Sequence, residues 1–102
     1  MKSIKHIVLL KIKEEINEER VKRCLEAIDG LKDKIEGIIS IDYGKDSSPE
    51  NKNQGYQYAF TVYLEDVVSR DNYISHPEHQ RVVSEHITPI VSDVIVLDYE
   101  AG

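Results

Sequence analysis

The chain has little of several residue types, and each shortage excludes a class of protein. Its single cysteine, Cys24, allows no disulfide within one copy of the chain. The apolar run at residues 7–10 is cut short by Lys11 and Lys13, so it predicts neither a membrane span nor a signal peptide. Positive charge is also scarce, because 13 Lys and Arg face 19 Asp and Glu. This balance argues against nucleic acid or an anionic membrane as a partner, and we expect a soluble cytoplasmic protein.

The hydrophobic pattern predicts a small α+β domain that spans residues 1–102. Apolar alternation indicates four strands, at residues 4–13, 38–45, 56–65 and 93–100. A helix is predicted from Asn17 to Gly37, a second at residues 66–75, and a third from Pro77 to near Thr88, with a polar loop at residues 46–55. This order is that of the ferredoxin-like βαββαβ fold, a four-stranded antiparallel sheet with its helices on one face.

The face of the predicted sheet without helices carries more apolar side chains than a monomer usually exposes. We expect on it some of Ile7, Leu9, Ile39, Ile41, Ala59, Ile95 and Leu97. A second copy of the same sheet, packed face to face across a two-fold axis, is the simplest cover. The sequence therefore predicts a homodimer that associates through this face.

Residues 73–79, Tyr-Ile-Ser-His-Pro-Glu-His, are the part of the chain richest in groups that can transfer protons. Pro77 fits the first turn of a helix, so His76 is predicted to cap the boundary between two helical segments. His79 and His86 fall on the apolar side of the second segment. There His79 is either a pocket residue or a core histidine with a satisfied hydrogen bond. For His86 the sequence favours a structural role. Tyr73 is likewise either a proton donor or a core aromatic residue.

A metal site is the other chemistry that these histidines suggest. His76 and His79 are three residues apart and, with His6 or His86, could supply three nitrogen ligands. The proline interrupts the helical face between them, and neither a cysteine pair nor a His-Glu-x-x-His motif is present. We therefore expect no metal and no cofactor.

Five segments, at residues 4–11, 43–46, 55–56, 73–79 and 97–99, together resemble the stress-responsive A/B barrel domain family of dimeric α+β barrels. The Tyr-x-x-His-Pro-x-His motif of residues 73–79 is the most specific of them. The resemblance implies a ferredoxin-like subunit, a dimer whose two sheets form a barrel, and a small apolar ligand pocket between sheet and helices. Many members of this family have no assigned reaction.

The plant polyketide cyclases of the family are most similar to this chain, and they close an aromatic ring by an intramolecular aldol condensation. Their resemblance implies that His79 and Tyr73 are the proton-handling pair, with His6 in the pocket. The chain departs from them at Tyr58, where the cyclases place a histidine. Phe60 and His86 complete the expected pocket. Two functions stay open: a dimeric barrel of uncharacterised activity that binds a small apolar ligand, and a cyclase-like or lyase-like enzyme with His79 as base and Tyr73 as donor.

Overall fold

Four strands form one antiparallel sheet in the computed structural model, which describes residues 2–101. They are β1 (Ile4–Ile12), β2 (Ile38–Lys45), β3 (Tyr58–Leu64) and β4 (Val91–Glu100). Their order across the sheet is β2-β3-β1-β4, which leaves β4 as an edge strand. This arrangement, with helices between β1 and β2 and between β3 and β4, confirms the predicted ferredoxin-like α+β fold.

The helices α1 (Glu18–Asp29), α2 (Val67–Ser75) and α3 (Pro77–Val82) cover one face of the sheet. Asn17 caps α1 by accepting a hydrogen bond from the Arg20 backbone N–H at 2.9 Å. Alternate residues of β1 point into the core below the helices, among them Val8 and the fully buried Leu10. Within residues 2–101, no helix is long and apolar enough to cross a membrane.

Two helices end earlier than the sequence predicts. The first was expected to reach Gly37, yet α1 stops at Asp29 and continues as a 3₁₀ turn over Gly30–Asp33. Glycine is a poor residue for a helix interior, so Gly30 is a natural place for the change. After α3 the chain widens into a π-helical turn at Val83–Ile87, which the Thr88 N–H closes by donating to the Val83 carbonyl at 2.8 Å.

The strand boundaries differ from the prediction for local reasons. The Tyr56 N–H donates to the Asn53 carbonyl at 3.0 Å, so Tyr56 still belongs to the loop and β3 begins at Tyr58. β1 ends at Ile12 and β4 begins at Val91, because a register shift beyond Lys11 pairs these two residues. These strand ends thus lie one or two residues away from the predicted positions.

A bulge in β2 moves one predicted residue to the other side of the sheet. The register of β2 against β3 shifts between Ile38 and Ser40, and Ile41 then lies opposite Val62 on the helix-covered face. Ile41 is only 8% exposed. It is therefore part of the core, and its predicted place on the helix-free face was wrong.

The helix-free face nevertheless carries a contiguous apolar surface. It contains side chains from β1, β3 and β4 in matching registers, namely Ile7, Leu9, Ala59, Ile95 and Leu97. Ile95 and Leu97 on the edge strand are 42% and 59% exposed. A single chain thus leaves large apolar side chains of this face in water.

Candidate functional site

A cavity of about 260 Å³ lies between the helix-covered face of the sheet and the segments that follow α2. Its wall is apolar apart from two imidazoles. The lining residues are His6, Val8, Phe60, Ile74, His79, Val83, Ile87, Val94 and Val96. Val94 and Val96 belong to the edge strand and are 39% and 55% exposed, so the cavity opens to solvent beside β4.

His6 enters this cavity because β1 alternates. It follows Ile4 and precedes Val8 on the helix-covered face, and it is 5% exposed. In the register of β1 with β4, His6 lies opposite Asp98, and the His6 Nδ1 is 2.7 Å from the Asp98 Oδ1. A carboxylate can only accept, so Nδ1 carries the hydrogen and donates it to Asp98.

Asp98 has a second partner on α2. The Arg70 Nη1 donates to the Asp98 Oδ2 at 3.1 Å, and the Arg70 Nε donates to the exposed Asp71 at 2.8 Å. Arg70, Asp98 and His6 thus form a connected chain of polar side chains at one end of the cavity. Sequence reasoning missed Arg70 and Asp98. The strand order alone could have suggested Asp98, because antiparallel β1 and β4 place a residue near 98 beside His6.

Tyr73 lies against both imidazoles. It is in the last turn of α2 and 1% exposed. Its ring centroid is 4.4 Å from that of His79 and 5.5 Å from that of His6, the latter in an edge-to-face arrangement. The helix break between them makes this contact possible, and the His76 Nδ1 caps α3 by accepting from the Glu78 N–H at 3.0 Å, which confirms the predicted boundary role of His76.

The hydrogen bond of His79 fixes which nitrogen is free. Its Nδ1 lies 3.0 Å from the Ile74 carbonyl oxygen, which can only accept, so Nδ1 donates and Nε2 keeps its lone pair. Burial lowers the pKa of His79 below its usual value, the hydrogen bond to Ile74 opposes this, and His6 and His76 nearby add to the lowering. His79 is therefore held as the neutral imidazole.

The pKa of the Tyr73 hydroxyl is shifted in the opposite direction. Burial raises the pKa of Tyr73 well above its usual value, so the side chain stays protonated. Within residues 2–101 the hydroxyl has no hydrogen-bond partner, and no side-chain polar atom there is both sealed from solvent and unpartnered. The Tyr73 hydroxyl thus makes no hydrogen bond with these residues, although its side chain is 1% exposed and is not among the residues that line the cavity.

Two of the expected pocket residues lie elsewhere. Tyr58 is on the helix-covered face at the far end of β3, beside the Lys45 ammonium, which is 5.8 Å from its ring centroid. His86 is in the π-helical turn, and it is the neighbouring Val83 and Ile87 that reach the cavity wall. The structure therefore brings together His6, Phe60, Tyr73 and His79, and separates Tyr58 and His86 from them.

The histidines do not gather into a metal-ligand set. Across residues 2–101, no three His, Cys, Asp or Glu side chains lie in positions to hold one ion. The Nδ1 atoms of His6, His76 and His79 already bond to Asp98, the Glu78 N–H and Ile74 respectively.

Fold and site together define a ferredoxin-like α+β protein with a small apolar cavity whose wall carries His6 and His79, with the Tyr73 ring packed against both. The model of the stress-responsive A/B barrel domain matches residues 4–101, and the chain belongs to this family. The predicted family resemblance is thereby confirmed.

Relatives of assigned and unassigned activity are similar to the chain. The stress-response A/B barrel domain-containing protein HS1 of Arabidopsis thaliana is 29% identical over 97 residues, which cover 95% of this chain and 88% of that protein. Olivetolic acid cyclase of Cannabis sativa is 32% identical over 77 residues, which cover 76% of each. The family therefore does not by itself name a reaction.

Solved structures extend the same picture. A dimeric ferredoxin-like protein of unknown function from Jannaschia superposes with a TM-score of 0.84 at 25% identity, covering 97% of this chain and 99% of that one. Hydroxynitrile lyase of Passiflora edulis gives a TM-score of 0.90 at 18% identity, covering 99% and 94%. At that identity the lyase shows a shared fold alone.

Proposed function

We propose that the chain is an acid–base enzyme that acts on a small, largely apolar carbonyl compound in the cavity between sheet and helices. The observation that carries this proposal is the contact between Tyr73 and His79, whose rings are 4.4 Å apart. Their pKa values are moved in opposite directions, downward for His79 and upward for Tyr73. Their surroundings therefore suit the neutral imidazole of His79 to act as a general base and the protonated phenol of Tyr73 to act as a proton donor.

The reaction class that uses such a pair forms or breaks a carbon–carbon bond next to a carbonyl. The Nε2 of His79 removes a proton from the carbon beside the carbonyl, while the Tyr73 hydroxyl donates a hydrogen bond to the carbonyl oxygen, where negative charge develops. The enolate attacks a second carbonyl carbon of the same molecule. The new alkoxide takes up a proton, and the proton held by His79 returns to solvent, so no oxidant or reductant is required.

The cavity wall restricts the ligand. Its two polar side chains are His6 and His79, and the lining contains neither lysine nor arginine. A carboxylate or phosphate buried there would lack a cationic partner, which is costly. The substrate class is therefore a neutral ketone or aldehyde whose hydrocarbon part lies against Val8, Phe60 and Val96.

The active form in this proposal is a homodimer of one-domain subunits, residues 1–102, associated through the helix-free face of the sheet. The exposed Ile95 and Leu97 support it, because face-to-face packing of two sheets would remove them from water. The Jannaschia relative, which has the same fold, is a dimeric protein. The cavity lies on the opposite, helix-covered face, so both sites of a dimer remain open.

Proton exchange tests the enzyme proposal directly. The protein is incubated in heavy water with a panel of aryl methyl ketones, linear triketones and cyanohydrins, and NMR follows deuterium entering beside the carbonyl or new products. We expect His79→Gln to lower the enzyme-dependent rate on the order of 10²–10⁴-fold, the usual contribution of a general base. Gln80→Ala, at the exposed neighbouring position, should keep the rate.

The same experiment separates the second candidate, a dimeric barrel that binds a small apolar ligand without catalysis. The backbone hydrogen bond of His79 to Ile74 is the observation that favours it, because structural histidines often make such bonds. Binding shifts for residues around Val96 with no exchange above the buffer rate for any member of the panel would support this binding function over the enzyme.

A further inference from the structure

Arg70 contacts the carboxylate that holds His6, although it is not itself part of the cavity wall. Its guanidinium is 3.1 Å from one oxygen of Asp98, and the His6 Nδ1 is 2.7 Å from the other. We propose that Arg70 is a positioning residue that keeps His6 neutral by balancing the charge of Asp98. The inference deepens the proposed function, and its catalytic meaning rests on that function.

The argument is one of local charge. A carboxylate bonded to an imidazole alone favours the protonated imidazolium, because opposite charges attract strongly where water is scarce. Here the carboxylate already has a permanent cation. The side chains of His6, Asp98 and Arg70 are 6%, 20% and 24% exposed, so their interactions are screened less than those of a surface pair. With His6 neutral, the three groups carry no net charge.

One more charge lies near these groups, that of Asp71 on α2, which accepts from the Arg70 Nε at 2.8 Å but is 66% exposed and is therefore screened by water more than Asp98. α2 contributes the protonated Tyr73 and α3 contributes the neutral His79, while β3 places the apolar Val62 opposite His6. Asp98 and Arg70 are thus the partly buried charged side chains whose balance acts most directly on His6. The tautomer also follows from this arrangement, since Nδ1 donates to Asp98 and Nε2 is left as an acceptor.

The charge of His6 matters for the proposed base. A positive His6 would repel a proton arriving at His79 and so lower the pKa of His79. Arg70 would therefore protect the basicity of His79 through two intermediate contacts.

Histidine side-chain ¹⁵N NMR tests the inference without any substrate. Spectra near pH 6.5, about the ordinary pKa of histidine, report how much of His6 is imidazolium. We expect Arg70→Gln to move the His6 nitrogen resonances towards imidazolium, and Asp98→Asn, which removes the anion, to leave His6 a neutral ring. Arg70→Lys keeps the cation and should restore most of the native shift. Asp71→Asn is the matched control, since it removes the charge of the other partner of Arg70, keeps an oxygen that can accept from the guanidinium, and leaves Asp98 in place.

Imidazolium in Arg70→Gln but not in Asp98→Asn separates this role from a structural one, because a loosened site would change both variants in the same way. His6 resonances in Arg70→Gln that match the native protein, or that move in the same direction as in Asp98→Asn, would overturn the inference. Where a panel substrate shows exchange, Arg70→Gln should slow it and Arg70→Lys should restore it. Because the NMR result needs no turnover, absence of catalysis would defeat the proposed function and leave the charge coupling measurable on its own.

Discussion

The ring of His79 lies against the ring of Tyr73, with centroids 4.4 Å apart and planes inclined at 46°. The two residues meet because α2 ends at Ser75 and α3 restarts at Pro77. The break turns the first residues of α3 back over the last turn of α2. The packing of the Tyr73 ring and the chemistry of its hydroxyl are separable, because no residue among 2–101 hydrogen-bonds that hydroxyl.

Tyr73→Phe should therefore leave stability nearly unchanged while removing the proposed proton donor. We expect the free energy of unfolding to fall by less than about 1 kcal/mol, since no protein hydrogen bond is lost. Tyr73→Ala, which empties a 1% exposed site, should cost about 3–5 kcal/mol. Urea unfolding of both variants measures the difference. A Tyr73→Phe loss close to that of the alanine variant would show that the hydroxyl is structural.

Stability should also fall in mild acid because of His79. Its pKa is lower in the folded chain than in the unfolded one, so below the ordinary histidine value the unfolded state binds more protons. Unfolding then becomes easier as the pH falls from about 7.5 to about 5. We expect His79→Gln to show a smaller loss over this range, and Gln80→Ala, which changes no titrating group, to keep the native slope. An unchanged slope in His79→Gln would contradict the assignment.

The order of strands and helices could be predicted from local sequence signals. The strands show clear apolar alternation, and Asn17 and Pro77 mark the starts of helices. The side of the sheet on which Ile41 lies could not be predicted in this way. A bulge near Ile38 depends on how β2 meets β3, and a shift of one residue reverses every later side chain. The π-helical turn after Val82 is equally a product of tertiary packing, and it separates His86 from the cavity wall.

Some residues of the candidate site could likewise be predicted from the sequence, and others could not. Tyr73 and His79 could be singled out because they lie in one short motif. His6 and Asp98 are 92 residues apart in sequence, and only strand pairing brings them together. The position of Arg70 beside Asp98 follows from the docking of α2 on the sheet, which no local pattern encodes. Long-range contacts of this kind are where a single sequence carries least information.

Gly37 should tolerate no side chain. Its φ of +93° is unfavourable for other residues, and a Cβ there would lie 2.5 Å from the Ser69 Oγ on α2. We expect Gly37→Ala to lower the free energy of unfolding by more than about 1 kcal/mol. Gly30→Ala is the matched control, because Gly30 has a helical φ of −64° and open space around it. Calorimetry should show a lower Tm for the first variant and an equal or higher Tm for the second.

A bulky side chain at the open end of the cavity should block the ligand without harming the fold. Val96 lines the cavity and is 55% exposed. A tryptophan side chain at this position therefore fits without displacing the core, and it would fill the opening of the cavity. We expect loss of the ligand-induced NMR shifts, with the unfolding free energy within about 1 kcal/mol of native. Val68→Trp, at a site 67% exposed and outside the cavity, is the control. Full binding by the Val96 variant would place the ligand elsewhere.

Leu97→Lys should separate the proposed dimer. Leu97 is 59% exposed and lies opposite Ile7 on the helix-free face, where the second sheet would cover it. A lysine there would bring an unpaired charge into an apolar contact once per subunit, which is costly. Lys5 is on the same face, but its ammonium lies 5.7 and 5.6 Å from the ring centroids of Tyr63 and Tyr99, which partly replace its water.

Light scattering at micromolar concentration should then show a dimer for the native chain and for Val68→Lys, and a monomer for Leu97→Lys. The two substitutions add the same charge, so a difference between them isolates the position from the charge itself. A native chain that is monomeric would contradict the dimer, and Ile95 and Leu97 would then need another partner. A dimer that persists in Leu97→Lys would place the interface away from the helix-free face, since that face cannot close over an unpaired ammonium without loss of affinity.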